Sequence, residues 1–118
     1  MAKCHLCVSK FYVGRTTNQL NTRCSGHRSN YYEILRKEGN LPTLESGKDE
    51  YSLGLHLYND HQCRNYEDFN EHYTFCVIQN TSPKNIEIQE HKWIHRLNTF
   101  HPKGINVSNP FGIPLLNL

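Results

Sequence analysis

An arginine and a histidine stand one helical turn apart near the start of the chain, after an aromatic-glycine turn. The stretch Phe11 to Arg28 reads FYVGRTTNQLNTRCSGHR, and it places Arg23 and His27 at i and i+4 of a predicted helix. A guanidinium can grip a phosphate through two hydrogen bonds, and an imidazole can move a proton near neutral pH. Tyr12, in the strand before this helix, could serve as an acid or base. The cluster suggests phosphate chemistry, but a surface Arg–His pair beside a core tyrosine would give the same pattern.

A carboxylate interrupts the apolar stripe of the last predicted helix. The stripe is formed by Ile86, Trp93, Ile94 and Leu97. Glu90 occupies the i+4 position of this stripe, where a carboxylate is costly to desolvate unless a cation pairs with it or a metal binds it. One explanation is a salt bridge to a lysine or arginine. The other is a hard-cation site at the edge of a cleft, because Mg²⁺ takes one or two carboxylates and keeps water and phosphate as its other ligands.

Two cysteines and two histidines have the spacing of a tetrahedral zinc site. Cys4 and Cys7 form a C-x-x-C pair, and four residues separate His56 from His61. The sequence interval between the two pairs is much longer than in a small DNA-binding zinc finger. We therefore expect the metal to attach a mid-chain helix to the N-terminal turn. Reduced cysteines with two surface histidines, or a redox thiol pair, are the alternatives. Cys63 is a rival ligand to His61.

The composition fits one small domain, residues 1–118, with a modest core. A chain of 118 residues that is only 36% hydrophobic gains stability from an additional cross-link, such as a bound metal ion. The net charge of +2 is compatible with a nucleic-acid partner but does not demand one. An odd count of 5 cysteines with one close pair favours a reducing, intracellular compartment over a disulfide framework. No apolar run approaches the roughly 20 residues of a membrane span.

The elements that must position these residues are predicted from periodicity and turn residues. Predicted strands cover 8–13 and 73–78, and predicted helices cover 17–35, 51–59 and 83–97. Thr16 or Thr17 is expected to cap the first helix, and Ser82 with Pro83 to begin the last. Residues 36–50 hold two glycines, a proline and many charges, so we predict a mobile loop there.

The ordered set of these residues resembles the GIY-YIG nuclease family. Tyr12-Val13-Gly14 is similar to the second tripeptide of the family, and Arg23 and His27 match its catalytic arginine and the residue one turn later. Glu90 matches its metal-binding glutamate, and Asn106, in GIN, its late asparagine.

Within that family, the sequence is most similar to the endonuclease domain of Penelope-like retroelements. In these domains a cysteine pair precedes the tripeptide, a histidine pair follows in mid-domain, and the last helix runs into a segment like EHKWIHRLNTFHPKGIN. The first tripeptide, Gly-Ile-Tyr, has no counterpart before Cys4, where the chain has only Met1, Ala2 and Lys3.

The resemblance implies an α/β fold of the α+β kind, with a mixed sheet of about three strands, flanking helices and a Cys2His2 zinc site. It implies one Mg²⁺ or Mn²⁺ on Glu90 and hydrolysis of a DNA phosphodiester to a 3′-hydroxyl and a 5′-phosphate. Arg23 would clamp the phosphate and Tyr12 would orient the water. His27 would hydrogen-bond the phosphate or a tyrosine, and Asn106 would shape the cleft.

The retroelement setting further implies a nuclear protein. This chain would be a fragment of a longer polyprotein, and its nick in target DNA would prime a reverse transcriptase domain of the same polyprotein. The alternative is a zinc-stabilised DNA- or protein-binding module without nuclease activity.

Overall fold

The computed structural model describes residues 1–8, 10–41 and 49–106, which contain three short strands and four α-helices. The strands are β1 (Ala2–Cys4), β2 (Phe11–Tyr12) and β3 (Tyr73–Phe75). The helices are α1 (Leu20–Arg36), α2 (Ser52–Leu55), α3 (Asp68–His72) and α4 (Ile86–Leu97). A 3₁₀ turn, Asp49–Tyr51, leads into α2, and a π-helical segment, His56–Asp60, continues it.

The sheet has the order β2-β1-β3, and both pairs of strands are antiparallel. Ala2 lies opposite Tyr12 on one side of β1 and opposite Phe75 on the other. The α/β class and the three strands are as expected, but the expectation of a mixed sheet is wrong. The turn that joins β1 to β2 is too short for a parallel crossover, which needs a dozen or more residues.

The central strand, β1, occupies residues for which the sequence analysis predicts no strand. Three residues are too few to show an alternating pattern, and this strand is stabilised by partners on both of its edges. Its two end residues, Ala2 and Cys4, are buried.

The other two strands are shorter than predicted because their register with β1 limits them. The chain must turn back between Cys4 and Lys10, so β2 begins only at Phe11 and Val8 is 97% exposed. At the other edge, the last residue of β3, Phe75, pairs with Ala2, the first residue of β1. Residues 76–78, which the sequence pattern assigns to the same strand, therefore lie outside β3.

The helices also begin later than predicted. Thr16 does not cap α1; its hydroxyl accepts a hydrogen bond from the Asn18 N–H, 3.0 Å away, and Gln19 precedes the first helical residue. Likewise α4 begins at Ile86 and not at Pro83.

The predicted mid-chain helix is confirmed, whereas no helix was predicted from the sequence where α3 lies. No helix within the described ranges is long and apolar enough to cross a bilayer.

The predicted loop 36–50 is described only at its two ends. Arg36 is the last residue of α1, and residues 37–41 form a turn whose Gly39 N–H donates to the Ile34 carbonyl, 2.9 Å away. The last two residues of the predicted loop belong to the 3₁₀ turn. Residues 42–48, like residue 9 and the C-terminal residues 107–118, lie outside the described part of the chain.

Two hydrophobic clusters hold these elements together. The larger one joins the sheet to α1, α2 and α3. Its buried members are Ala2, Cys4, Tyr12, Tyr31, Leu53, Leu57, Cys63, Phe69, Tyr73 and Ile105. The smaller one comprises Val13, Ile94 and Phe100. Partly buried Trp93 and Leu97 pack against it, which confirms the apolar stripe of α4 and places this helix beside the segment that follows β2.

Candidate functional site

The four candidate zinc ligands, here called the Cys/His cluster, come from two distant parts of the chain. Cys4 ends β1 and Cys7 lies in the turn toward β2, whereas His56 begins the π-helical segment and His61 follows its last residue. The sulfur and imidazole donor atoms all lie within 4.8 Å of one another. The cluster could therefore hold a metal ion such as zinc.

The distances within the cluster are close to those that zinc requires. Cys7 Sγ lies 3.1 Å from His56 Nε2 and 3.0 Å from His61 Nε2, and the two Nε2 atoms are 3.1 Å apart. Cys4 Sγ lies 3.8 Å from His61 Nε2. Ordinary zinc bond lengths in a tetrahedron place donor atoms about 3.3 to 3.8 Å apart. A small adjustment of the side chains would close this set around one ion.

A carboxylate behind the cluster fixes one of the imidazoles. Asp60 Oδ2 accepts a hydrogen bond from His56 Nδ1, 2.7 Å away, which leaves Nε2 facing the other three donors. Metal-binding histidines usually have such a partner. Burial lowers the pKa of His56, which favours the neutral ligand form, and it raises the pKa of the Cys4 thiol to about 11. Metal binding must therefore release a proton from Cys4.

The choice between His61 and Cys63 is decided by the path of the chain. His61 contributes to the Cys/His cluster, whereas Cys63 points into the large hydrophobic core and lies near Asp68 and His72. Gln62, between them, adopts a left-handed backbone with φ of 57°. That residue reverses the chain so that neighbouring side chains face different surroundings.

The aromatic-glycine turn has a steric explanation. A β-carbon at Gly14 would lie 2.8 Å from Cε1 of Tyr12 and 3.1 Å from its hydroxyl oxygen. The phenol therefore folds back over residue 14, and only glycine leaves it room. Tyr12 itself is 3% exposed. The pattern Tyr-Val-Gly thus places a buried tyrosine at the end of β2.

The structure brings Tyr12, Arg23 and His27 to the wall of one small cavity, of about 40 Å³. The rings of Tyr12 and His27 meet edge to face, with centroids 5.2 Å apart. His27 is buried, and Arg23 is half-buried. The Nε atom of Arg23 is buried and makes no hydrogen bond within the described residues. An arginine with an unused donor next to a tyrosine and a histidine is suited to bind an anion.

Glu90 lines a second and larger cavity, of about 270 Å³, between α4 and the residues after β2. It is half-buried, and it shares this wall with Gly14, Arg15 and Trp93. Its side chain lies on the apolar stripe of α4 and lines this cavity. One carboxylate beside open space matches what Mg²⁺ or Mn²⁺ needs from a protein, because these ions retain several waters.

The two cavities adjoin, but neither is lined by both Glu90 and Arg23. Arg15 and Thr16 line both, as well as a third cavity of about 270 Å³ that also contains Arg23. Because the three cavities share Arg15 and Thr16 in their walls, they are here together called the cleft. Arg15 Nη1 forms an ion pair with Glu87 Oε1, 3.1 Å away.

Asn106 lies behind the cleft and lines none of these three cavities. Its amide pairs with the backbone of Val13: Nδ2 donates to the carbonyl and Oδ1 accepts from the N–H, both at 2.9 Å. The hydroxyl of Thr99 also donates to Oδ1, 2.7 Å away. Asn106 is fully buried and anchors the Tyr-Val-Gly segment to the C-terminal turn. Its role is therefore one of positioning.

Two residues of this region have no role in the sequence analysis. Asp60 stands four residues after His56, and that i, i+4 spacing was the available signal for a carboxylate partner of the histidine. Arg15 directly follows the Tyr-Val-Gly turn, which places it on the cleft wall. Its charge alone does not distinguish it from an exposed surface arginine.

Comparisons with known proteins add no assignment. No family model matches the sequence, and neither a curated protein nor a solved structure matches it significantly.

Proposed function

We propose that this chain is a metal-dependent DNA endonuclease of the GIY-YIG type, which nicks target DNA to leave a 3′-hydroxyl primer. The observation that carries the proposal is the cleft. Tyr12, Arg23 and His27 meet at one end of it, and Glu90 lies in the adjoining cavity. A cation, two proton-transferring side chains and a carboxylate are the groups that phosphodiester hydrolysis needs.

Each side chain has a role that follows from its position. Arg23 would bind the non-bridging phosphate oxygens through its unused donor, and it would stabilise the charge that develops there. Tyr12 would orient the attacking water and, in its phenolate form, accept the proton of that water. His27, packed edge to face on Tyr12, would hold the phenol in place and hydrogen-bond it or the phosphate.

Glu90 would bind Mg²⁺ or Mn²⁺ in the larger cavity. When bound, such an ion supplies positive charge at the leaving oxygen. Asn106 acts through Val13, because its two hydrogen bonds to that backbone set the direction of the Tyr-Val-Gly turn.

Zinc in the Cys/His cluster would be structural in this proposal. Four protein donors fill a tetrahedral site and leave no position for substrate. The cluster ties the turn between β1 and β2 to the π-helical segment. It therefore closes a chain loop that contains Tyr12, Arg23 and His27, and zinc would hold this loop folded without taking part in hydrolysis.

The biological setting of the proposal is a Penelope-like retroelement. The chain would act on DNA in the nucleus as part of a longer polyprotein, and the nick would serve the reverse transcriptase domain of that polyprotein. The sequence resemblance, from Cys4 through Asn106, supports this setting.

One observation favours a second candidate function, a zinc-stabilised DNA- or protein-binding module without turnover. Ala2, on the central strand, lies opposite Tyr12 and lines the same small cavity. A family member with the first tripeptide would carry a second tyrosine in this strand. Tyr12 is the single tyrosine on the cavity wall among the described residues, so the water would have one phenol and not two.

A plasmid assay separates the two candidates. Zinc-loaded protein is incubated with supercoiled plasmid and Mg²⁺ or Mn²⁺, and nicked circles are counted over time. We expect Arg23→Ala to slow nicking by about 100-fold, because it removes the phosphate-binding cation. Arg28→Ala is the matched control on the same helix; its guanidinium bonds Asn70 at 3.3 Å and lies outside the cleft. Intact plasmid with wild-type protein, combined with DNA binding in a gel-shift assay, would support the binding module instead.

A further inference from the structure

Three side chains outside the Cys/His cluster and the cleft form a second group of metal-binding donors. Cys63 Sγ, a carboxylate oxygen of Asp68 and an imidazole nitrogen of His72 all lie within 4.8 Å of one another. We propose that this group, here called the second site, binds a zinc-like divalent ion with three protein ligands and an open position. The inference is independent of the proposed nuclease function.

The local fold holds these three donors in place. Asp68 and His72 are i and i+4 neighbours on α3, and their Oδ1 and Nε2 atoms are 3.6 Å apart. Cys63 is brought to them by the turn after the π-helical segment, where its N–H donates to the Leu57 carbonyl, 3.0 Å away. The ligands therefore come from one helix and one turn that the fold already packs together.

The loop between Cys63 and α3 is itself fixed. The Asn65 N–H donates to Asp68 Oδ2, 3.1 Å away, and the Asn65 carbonyl accepts from the hydroxyl of Tyr31, 2.9 Å away. Tyr31 is fully buried in α1. Because one carboxylate oxygen of Asp68 is used by the loop, the other remains available beside His72 to bind the ion.

The ligand types select the class of metal. A thiolate, an imidazole and a carboxylate together suit Zn²⁺ or Co²⁺, whereas Mg²⁺ and Ca²⁺ prefer oxygen ligands alone. The environment supplies negative charge, since a second carboxylate, Glu71 Oε2, lies 4.0 Å from His72 Nε2. These acidic groups make the site a poor place for a reactive thiolate nucleophile and a good one for a cation.

The second site is reachable from solvent. Cys63 is 9% exposed, and the side chains of Asp68 and His72 are 14% and 26% exposed. Three protein ligands would leave the fourth tetrahedral position for water or an external ligand. This differs from the Cys/His cluster, whose four ligands close the coordination sphere. We therefore expect the second site to bind its ion more weakly and to exchange it faster.

The test is metal stoichiometry of the full chain. Protein saturated with Zn²⁺ and desalted should contain two zinc ions per chain by elemental analysis, and a chelator of moderate affinity should remove one of them. Cys63→Ser and His72→Gln should each retain a single, tightly held zinc. Cys76→Ser, which alters an exposed cysteine outside both groups, should keep two.

Cobalt gives a second readout that does not depend on activity. Co²⁺ added to protein that carries one tight zinc should produce thiolate–cobalt absorption in the wild type and none in Cys63→Ser. If Cys63→Ser fails to fold, the same cobalt titration is made with His72→Gln, which is altered at a partly exposed position and should also lack the absorption. The proposal is overturned if the wild-type chain never binds more than one metal ion. It is also overturned if both variants still bind a second metal ion. The group would then be an Asp68–His72 ion pair beside a buried thiol.

Discussion

The Cys/His cluster and the cleft differ in how completely the protein alone assembles them. In the cluster, donor atoms from Cys7, His56 and His61 lie 3.0 to 3.1 Å apart, and Asp60 orients one imidazole. In the cleft, Arg23 and Glu90 line adjoining cavities and not a common one. The cluster is nearly complete without its ion, whereas the cleft leaves space that a metal and a phosphate would fill.

This difference separates structural from catalytic demands. A structural metal site gains from donors that are already close, because little order remains to be imposed when the ion binds. A site for phosphodiester hydrolysis must leave space for substrate, water and a hydrated ion between its charged groups. The two regions should therefore respond differently to substitution.

Removal of the metal from the Cys/His cluster should have the largest effect on stability. We expect Cys4→Ser to lower the free energy of unfolding by about 5 kcal/mol or more and Tm by roughly 20 °C, because a bound metal would no longer close the chain loop. Thermal unfolding followed by circular dichroism measures this. Cys76→Ser, at an exposed position, should melt like the wild type. A Cys4→Ser chain that melts normally would show that the cluster has no structural role.

Loss of the Asn106 amide should have the next largest effect. Asn106→Ala leaves the buried Val13 N–H and the Thr99 hydroxyl without their acceptor, so we expect a loss of about 2 to 4 kcal/mol in urea unfolding. Asn21→Ala, at an exposed position of α1, should cost less than about 0.5 kcal/mol. Equal costs for the two variants would remove the anchoring role assigned to Asn106.

The steric role of Gly14 predicts a smaller effect that is concentrated in the cleft. Gly14→Ala forces a β-carbon against the ring of Tyr12, which should cost about 1 to 3 kcal/mol and slow plasmid nicking. Gly26→Ala is the control, because nothing lies within 4 Å of its β-carbon and it sits inside α1, where alanine should stabilise by about 0.5 to 1 kcal/mol. The two alanine variants should therefore shift Tm in opposite directions, and a shared direction would contradict the packing argument.

The sequence predicted which polar side chains come together better than it predicted the boundaries of the elements. The grouping of Cys4, Cys7, His56 and His61, and that of Tyr12 with Arg23 and His27, followed from residue type and spacing. The strand Ala2–Cys4 did not, because three residues show no period and this strand depends on partners far along the chain. The helix Asp68–His72 is likewise too short to show a helical period.

Tertiary contacts decided two further features. Spacing favoured His61 as the ligand and left Cys63 as its rival, and only the left-handed backbone at Gln62 explains why the two side chains belong to different groups. Threonine was a reasonable cap for α1, but the hydroxyl of Thr16 is used by a local turn with Asn18. Neither outcome could be obtained without knowing the path of the backbone.

The most direct test of the central claim is the nicking rate of zinc-loaded Glu90→Gln beside Glu87→Gln, a matched change one turn earlier on the same helix, with Mn²⁺ as the metal. If Glu90 binds the divalent ion, Glu90→Gln should lose at least about 100-fold in rate while its Tm stays within about 3 °C of the wild type. Glu87→Gln, which loses only an exposed ion pair, should remain within about 3-fold. Wild-type nicking by Glu90→Gln, or its unfolding, would contradict the account.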